Sequence, residues 1–442
     1  MIERYTPKEI GEIWTDESKF QGWLDTELAV IKAREDSGEF SVGTYEAVRE
    51  QATFTVKRIR EIEEETQHDL VAFIRTVCES IDTTLQQYVH KDITSYDTEE
   101  PAQARQVIFS LDLIITAAKE VYAALLERAT EFKEQKVIGR THAKKAQFKI
   151  FGLYFLTYAD MIDYVIGKLE EAREDMRYSK ISGAVGCYNR ALTPELEEGA
   201  LAGLDLEPAE IATQIVQRHR MAYAVLTVSL LGAVLHNIAW NFWLWIHREI
   251  ADEPFKKGQT GSSAMPHKIN AITCERIMGL GGRSLVNKAL PALQNVVSLE
   301  DRDIAHSSVE RTEITDAFIL GYYLLLKAQG LIRGLVIYPS WIEKETREAY
   351  KLVFSERVKS FLEERVDKKL AYKIVQSTCL TAKMESHNLD EVLLKDKRFL
   401  DAVPEVAEAV KLGSELPKEF TELFNEDPDL QFIDTIYARF GL

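Results

Sequence analysis

Cysteine is scarce in this chain, with four among 442 residues. Cys78, Cys187, Cys274 and Cys379 lie far apart, so the sequence contains neither a CxxC pair nor the ligand spacing of a zinc site. It therefore predicts no disulfide framework and no structural metal, which is typical of proteins from a reducing compartment. The first ten residues, MIERYTPKEI, lack the basic and then apolar pattern of a secretory signal, so we expect a cytoplasmic protein.

Positive charge is also in short supply. The chain has 54 Lys and Arg residues against 71 Asp and Glu residues, which gives a formal net charge of -17. A protein of this charge repels nucleic acids and anionic membranes unless its basic residues are locally concentrated. We therefore expect small-molecule substrates, with neither a nucleic acid nor a membrane as a partner. Because 46% of the residues are hydrophobic, the chain can bury more than one core.

Long uncharged hydrophobic runs are absent with one exception, which covers Met221 to Ile246. Its length suits a membrane span. However, polar residues interrupt it at Thr227, His236 and Asn241. A helix that is apolar all round also occurs at the centre of a large helix bundle, and the sequence favours this second interpretation.

The other regular patterns in the sequence are helical. After Pro101, apolar residues recur at alternating spacings of four and three: Val107, Leu111, Ile114, Ala118, Val121 and Leu125. Further helical patterns cover about 148–177, 208–249, 271–290 and 311–336, with Pro208 as a first-turn residue. The predicted fold class is all-α. Irregular stretches near 90–101 and 336–341 divide the chain into an N-terminal helical domain (1–95), a central long-helix bundle (96–338) and a C-terminal helical domain (339–442).

Four predicted loops between helices carry a histidine beside hydroxyl or glycine residues. They are TQHDL (66–70), HKDITSYD (90–97), GRTHAKKAQ (139–147) and KGQTGSSAMPHKIN (257–270). The last loop has no acidic residue, and it matches neither the GxSxG of a serine hydrolase nor the GxxxxGK[ST] of a P-loop. The chain also lacks the HExxH of a zinc enzyme. The chemistry that remains is acid–base catalysis on an anion, with no metal and no organic cofactor.

One of these loops carries a family signature. The residues GSSAMPHKIN (261–270) resemble the loop GSSxMPxKxN of the fumarase, aspartase and argininosuccinate lyase superfamily. MIERYT and IWTDESKFQGWLDTELA near the N-terminus, KISGAVG (180–186) and RDIAHSSVER (302–311) resemble the adenylosuccinate lyase family within it. The resemblance runs from Met1 to about Tyr323. It implies a three-part helical homotetramer, in which the long-helix bundles form a tetrameric helical core and the subunits share their active sites.

The reaction implied by the resemblance is β-elimination. It would release fumarate from adenylosuccinate to leave AMP, and from SAICAR to leave AICAR. By resemblance, Ser262 is the catalytic base and His142 is the general acid that protonates the leaving nitrogen. Lys268 would stabilise the Ser262 oxyanion and bind a succinyl carboxylate. Glu275 falls where the superfamily places the acid that orients the histidine, although a glutamate there could also serve only to stabilise the first turn of a helix.

The resemblance also implies a set of substrate-binding residues. Those expected to bind the succinyl carboxylates are Thr141, Ser263 and Asn270. Those expected to hold the phosphate and ribose are Arg4, Tyr5, Ser307 and Arg311. Those expected to line the rest of the nucleotide site are Gln67, His68, Asp69, His90, Thr94, Ser95, Gln214 and Arg302.

Three stretches depart from the family pattern. TSYDTEEPA (94–102) stands where the family usually reads TSSDxxDTA, with Tyr96 and Glu100 at altered positions. The histidine loop gains Lys144 and Lys145, and Arg276 stands where asparagine is common. The residues implied in carboxylate chemistry are all present, so elimination is expected. The nucleobase side of the site is altered, which leaves the identity of the substrate more open.

Two other functions stay open. The first is a related lyase that releases fumarate from a different amine-bearing substrate. The second is a non-catalytic structural paralogue. Such paralogues usually lose a catalytic residue, whereas Ser262, His142, Lys268 and Glu275 are all present in this chain.

Overall fold

The structure, a computed structural model, describes residues 1–255, 258, 265 and 268–442. Helices dominate these residues, and the strands form three two-stranded pairs within them. The all-α fold class predicted from the sequence is confirmed.

The described chain divides into two compact units. The first, unit 1, contains residues 1–122, 160–241 and 272–331, and the second, unit 2, contains residues 123–159, 242–271 and 332–442. Each unit is thus assembled from three separated stretches of sequence. The division into domains at 95 and 338 stays a prediction.

The N-terminal stretch of unit 1 is a group of amphipathic helices. They are a 3₁₀ turn at Glu3–Tyr5, α1 (Lys8–Ile13), α2 (Asp16–Asp36), α3 (Thr44–Gln51), α4 (Val56–Thr66), α5 (Asp69–Ser80) and a 3₁₀ turn at Gln86–Tyr88. The Thr15 hydroxyl caps α2 by accepting a hydrogen bond from the Ser18 N–H at 3.1 Å. Phe20, Trp23 and Phe73 form the aromatic centre of the core between these helices.

The middle of the chain contains its longest helices. In chain order the helices are α6 (Ser95–Glu131), α7 (Gly152–Asp175), α8 (Pro194–Ala202), α9 (His219–His247), α10 (Ile272–Ile277), α11 (Ala289–Gln294), α12 (Ala305–Val309) and α13 (Thr315–Gly334). The predicted apolar stripe of α6 is confirmed, because all six of its residues from Val107 to Leu125 are completely buried. Between α10 and α11 lie a π-helical segment, Met278–Leu285, and a 3₁₀ turn, Val286–Lys288, and a second π-helical segment, Glu310–Ile314, precedes α13.

Several predicted helix boundaries were wrong. Helix α6 begins at Ser95 and contains Pro101, and α9 begins at His219. Pro208 lies in a two-residue strand and does not start a helix. The helices predicted at about 148–177, 271–290 and 311–336 are shorter than expected or are interrupted by π-helical turns. Hydrophobic periodicity does not distinguish α from π turns, and it locates helix ends only approximately.

The start of α6 is fixed by Asp97, which is completely buried. Its carboxylate accepts a hydrogen bond from the Thr94 N–H at 2.8 Å, as the third residue of a capping box does. The same carboxylate accepts from the Ser182 and Gly183 N–H groups at 3.0 and 3.1 Å and pairs with the buried Lys180 ammonium at 2.6 Å. Asp97 thereby joins the TSYD and KISGAVG stretches.

Helix α9 is long and apolar enough to cross a membrane. In the structure, however, 67% of its most apolar 18-residue stretch is buried inside the protein. Val225, Val228, Leu231 and Phe242 on this helix are completely buried. This burial is the one expected for the core helix of a bundle.

The C-terminal part of the chain is built from short helices. They are α14 (Pro339–Arg347), α15 (Ser355–Glu363), α16 (Lys368–Glu385), α17 (Leu389–Leu393), α18 (Lys397–Ala402), α19 (Pro404–Leu412), α20 (Lys418–Thr421), α21 (Asp427–Leu430) and α22 (Ile433–Ala438), with 3₁₀ turns at Leu352–Phe354 and Glu422–Phe424. Their apolar faces meet around Leu362, Ile374, Phe399 and Phe420. Unit 2 therefore has a core of its own.

The strands are few and short. They are β1 (Lys136–Thr141) antiparallel to β2 (Lys144–Ile150), β3 (Tyr178–Ser179) parallel to β4 (Glu207–Pro208), and β5 (Ala251–Asp252) antiparallel to β6 (Val336–Ile337). The β1–β2 pair occupies the stretch that was predicted to be a loop, which is a correction. Ala146, Phe148 and Ile150 alternate with polar residues along β2, so a strand signal is present in the sequence.

Candidate active site

Unit 1 contains a cleft beside the N-terminal end of α6. Its outer chamber has a volume of about 470 Å³. Its lining residues are Glu63, Gln67, His68, Asp69, Ser95, Tyr96, Glu99, Arg302, Ile304, Ser307, Ser308 and Arg311. The residues predicted from the sequence to bind substrate are well represented among them: Gln67, His68, Asp69, Ser95, Arg302, Ser307 and Arg311. Side chains that lie far apart in the sequence thus line one cavity.

A smaller inner chamber, of about 250 Å³, adjoins the outer one. The two chambers share Tyr96, Glu99, Ser307 and Arg311 in their linings. The inner chamber is lined in addition by Trp14, Thr15, Asp16, Lys19, Trp23, Gln103, Gln106, Glu310 and Thr315. A ligand bound at the shared residues would therefore have room on both sides.

Asp69 organises the positive charge of the cleft. Its Oδ2 atom lies 3.0 Å from the Lys19 Nζ and 2.8 Å from the Arg311 Nη2. Burial raises the pKa of Asp69, but the charges of Lys19 and Arg311 outweigh burial and hold this pKa below its ordinary value. Asp69 is therefore ionised at neutral pH and keeps both cations at the cleft wall.

Tyr96 supports a third cation. The Arg302 guanidinium lies 3.8 Å from the centre of the Tyr96 ring, within the range of a cation–π contact. Arg302 also donates a hydrogen bond from Nη1 to Gln214 Oε1 at 3.0 Å. Gln214, which was predicted to contact the nucleotide, thus contacts Arg302. The departure of Tyr96 from the family pattern gives this arginine an aromatic support that the serine of the pattern would not provide.

His90 and Thr94 do not line either chamber as the structure describes them. The His90 Nδ1 lies 2.8 Å from Glu27 Oε1, and Glu27 is buried and also accepts a hydrogen bond from the Thr98 hydroxyl at 2.7 Å. Burial lowers the pKa of His90, but the hydrogen bond and the charge of Glu27 raise it above its ordinary value. In this chain His90 anchors α2 to the loop that precedes α6.

The N-terminal pair predicted to hold the phosphate also lies in unit 1. Arg4 and Tyr5 belong to the first 3₁₀ turn, and the Tyr5 ring packs edge-to-face against Tyr323 of α13 with 5.3 Å between ring centres. The Met1 amino group pairs with Asp316 at 2.8 Å. The N-terminal turn is therefore held against α13, and Arg4 is exposed.

Thr141 and His142 lie in unit 2, at the end of the β1–β2 hairpin. Thr141 pairs with Lys144, so His142 and Ala143 form a two-residue turn. Both residues have left-handed backbones, with φ of 49° and 62°. Two-residue hairpins favour this geometry but usually contain Asn-Gly. A histidine held in a costly backbone conformation at an exposed tip is a common feature of functional sites.

The other predicted catalytic residues are distributed as follows. Lys268 is exposed and Asn270 half-buried in the segment that precedes α10. Glu275 is exposed in the first turns of α10, in unit 1. Ser262 and Ser263 lie outside the described residues, and so does His267 of the same signature loop.

Glu345 on α14 holds the hairpin at its base. Its Oε1 accepts hydrogen bonds from Arg140 Nη2 at 3.2 Å and from Arg248 Nε at 3.1 Å, and its Oε2 pairs with Arg248 Nη2. The Lys145 ammonium donates to the Glu345 backbone carbonyl. Burial raises the pKa of Glu345, but Arg248 and Arg140 lower it below its ordinary value. One carboxylate thus ties β1, the C-terminal end of α9 and α14 together.

We expect Glu345→Gln to lower the free energy of unfolding by about 1–2 kcal/mol at neutral pH, because charge-assisted hydrogen bonds to two arginines become neutral ones. A carboxyl group with a depressed pKa stabilises the fold above its unfolded pKa and loses this effect as the pH falls. The difference from wild type should therefore shrink in acid. Urea titrations at neutral and acidic pH measure it. The matched control is Glu343→Gln on the same helix, which is expected to change stability by less than about 0.5 kcal/mol; equal effects of the two variants would contradict the assignment.

Comparison of the chain with known proteins identifies its family. Residues 3–285 match the family model described as Lyase. The chain is 36% identical to the adenylosuccinate lyase of Thermotoga maritima over 100% of this chain and 99% of that protein. It is 33% identical to the adenylosuccinate lyase of a Synechocystis species and 30% identical to that of Bacillus subtilis, with all of each chain covered. The chain belongs to the adenylosuccinate lyase family.

Solved structures show the same fold at lower sequence identity. A fumarate lyase from Mesorhizobium sp. BNC1 is 20% identical with a TM-score of 0.84, over 98% of this chain and 97% of that one. A 3-carboxy-cis,cis-muconate lactonizing enzyme from Pseudomonas putida is 20% identical with a TM-score of 0.85, over 98% and 96% of the two chains. This chain thus has the fold of that fumarate lyase and of that lactonizing enzyme.

Five charged residues that line the cleft were not predicted from the sequence: Asp16, Lys19, Glu63, Glu99 and Glu310. Lys19 lies in the N-terminal stretch that resembles the adenylosuccinate lyase family, and its Nζ is 5.1 Å from the centre of the Phe20 ring and 4.3 Å from that of the Trp23 ring. A lysine close in sequence to two aromatic residues could have indicated a charged group at the edge of the core. Glu99 occupies an unspecified position of the TSSDxxDTA pattern, so the family resemblance gave no reason to select it.

Proposed function

We propose that this protein is an adenylosuccinate lyase. It eliminates fumarate from adenylosuccinate to give AMP and from SAICAR to give AICAR. The observation that carries the proposal is the full-length similarity, at 36% identity, to an adenylosuccinate lyase. The cleft supports it, because Lys19, Arg302 and Arg311 lie among the residues that line its two chambers. Guanidinium and ammonium groups are the usual partners of phosphate and carboxylate groups.

The elimination divides between two halves of the substrate. In the succinyl half, Ser262 removes the proton next to a carboxylate, and the carbanion spreads its charge onto that carboxylate. Lys268 stabilises this charge, and Thr141, Ser263 and Asn270 hold the two carboxylates. His142 protonates the departing nitrogen, and Glu275 orients the imidazole. These steps need no redox change and no metal ion.

The nucleotide half of the substrate occupies the cleft of unit 1. Arg311 and Ser307 lie on the wall shared by both chambers and bind the phosphate together with Arg4 and Tyr5. Gln67, His68, Asp69, Ser95 and Arg302 line the outer chamber and contact the ribose and base. His90, Thr94 and Gln214 act through the residues that they hold in place.

The proposed assembly is a cytoplasmic homotetramer whose subunits share active sites. Its support is apolar surface on the long helices. Trp240 and Leu230 of α9 are 50% and 41% exposed, and Phe109 of α6 is 46% exposed. Subunit contacts in the proposed tetramer would cover these side chains. Sedimentation of the purified protein tests the assembly, and a monomer in dilute solution would contradict it.

A second candidate is a lyase of the same mechanism that acts on another amine-bearing substrate. It is favoured by the change at Tyr96, which lines both chambers of the cleft. The two candidates are separated by measuring kcat/KM for adenylosuccinate, SAICAR, argininosuccinate, aspartate and malate. We expect turnover of the two nucleotide substrates and none of the others. Preference for argininosuccinate or aspartate would favour the second candidate.

A further inference from the structure

Glu99 has an unusual position in the cleft. It lies on α6 and lines both chambers. The neighbouring charges have partners: Asp69 pairs with Lys19 and Arg311, and Arg302 bonds to Gln214 and stacks on Tyr96. Within the described part of the chain, Glu99 forms no hydrogen bond or ion pair that would occupy its carboxyl group.

The charges around Glu99 come from four other elements. Lys19 faces it from α2, Asp69 from α5, Arg302 from the segment before α12, and Arg311 from the second π-helical segment. Burial and the charge of Asp69 raise the pKa of Glu99, the three cations lower it, and the net result is a pKa of about 7. The charged and neutral forms of this carboxyl group are therefore both populated near neutral pH.

A phosphate group bound in the cleft would shift the Glu99 carboxyl group toward its neutral form. In the proposed function, on which this inference rests, Arg311 and Ser307 bind the phosphate, and both residues line the two chambers together with Glu99. A phosphate monoester carries close to two negative charges above about pH 7. Two anions in one partly buried site repel each other, and the carboxyl group relieves the repulsion by taking up a proton.

We propose that Glu99 is a substrate-contacting residue of the nucleotide cleft that takes up one proton from solvent when a phosphate-bearing ligand binds and then donates a hydrogen bond to that ligand. No covalent bond of the ligand changes in this step. The proton adds to the Glu99 carboxylate, and the resulting O–H points to an anionic oxygen. Release of the nucleotide returns the proton to solvent. Ionised Glu99 opposes binding, so the residue sets the pH range in which the cleft accepts phosphate-bearing ligands.

The test is calorimetric titration of the intact protein with AMP at about pH 8, in two buffers with different ionisation enthalpies. The second ionisation of the phosphate, near pKa 6, is then complete and contributes no proton. For the wild type we expect uptake of about half to one proton per bound AMP. We also expect the affinity for AMP to fall by up to about tenfold per pH unit as the pH rises above about 7. For Glu99→Gln, whose amide cannot ionise, we expect no uptake and an affinity that does not change as the pH rises above about 7.5, where the phosphate is already fully ionised.

The matched control is Glu64→Gln, an exposed residue of α4 that does not line the cleft. It changes the net charge equally and should keep the proton uptake of the wild type. Circular dichroism and urea unfolding establish that each variant is folded. Equal proton uptake by wild type and Glu99→Gln, or none by the wild type, would overturn the proposal. A protein that binds AMP with proton uptake but does not cleave adenylosuccinate would refute the proposed function and leave the role of Glu99 intact, whereas absence of AMP binding would refute both.

Discussion

Ser262→Ala and His142→Ala are each expected to lower kcat for adenylosuccinate by about 10²- to 10⁴-fold, the usual loss when a general acid or base is removed. Ser262 is assigned as the base and His142 as the acid of one elimination. Because the two residues act in the same reaction, the double variant should lose little more than either single variant. Steady-state assays of fumarate release measure all three.

His142 needs a second variant, because its backbone is left-handed. Alanine is strained in this conformation, whereas asparagine adopts it more readily. His142→Asn should keep the hairpin turn and still lose activity, because an amide does not transfer a proton at neutral pH. Near-normal turnover in His142→Asn or in Ser262→Ala, with an unchanged circular dichroism spectrum, would remove that residue from its assigned role.

Arg218→Met is expected to lower the free energy of unfolding by about 3–5 kcal/mol, the usual cost of removing one partner of a buried ion pair. Arg218 is 3% exposed and lies 2.6 Å from both Glu100 and Glu310, which are also buried. Burial raises the pKa of Glu100, while the arginine lowers it. Without the arginine, two carboxylates remain buried without a cation. Urea unfolding at neutral pH measures the loss.

The pH dependence distinguishes this cause from lost packing. In the variant the two buried carboxyl groups take up protons more readily than they do in the unfolded chain, so stability should recover as the pH falls. The control is Arg220→Met, two residues further along the chain in the first turn of α9, whose partner Asp175 lies 3.6 Å away and is half-exposed. We expect a change below about 1 kcal/mol there. Equal losses at the two positions, or a loss at Arg218 that does not depend on pH, would contradict the account.

The long helices could be predicted because burial leaves a strong periodic signal in sequence. The six residues of the apolar stripe on α6, from Val107 to Leu125 at spacings of four and three, are all buried. The β1–β2 hairpin could not be predicted with the same ease, because its turn contains His142 and Ala143 where such turns usually carry Asn-Gly. The conformation of this turn is set by pairing of the flanking strands, which is not a local property of these two residues.

Residues of the candidate site could be predicted when they match a sequence motif, and the other residues of the site could not. Arg302, Ser307 and Arg311 come from one recognisable stretch, and all three line the cleft. Glu99 occupies an unspecified position of its motif, and its place in the cleft depends on which face of α6 meets α2 and α5. Such a relation follows from tertiary packing and is not visible in the spacing of one segment.

The most direct test of the central claim is to add the purified protein to adenylosuccinate, to follow the change in ultraviolet absorbance, and to quantify AMP and fumarate independently. The account predicts that both products form in equal amounts as the substrate disappears, with no added cofactor. An unchanged spectrum, or AMP formed without an equal amount of fumarate, would contradict it.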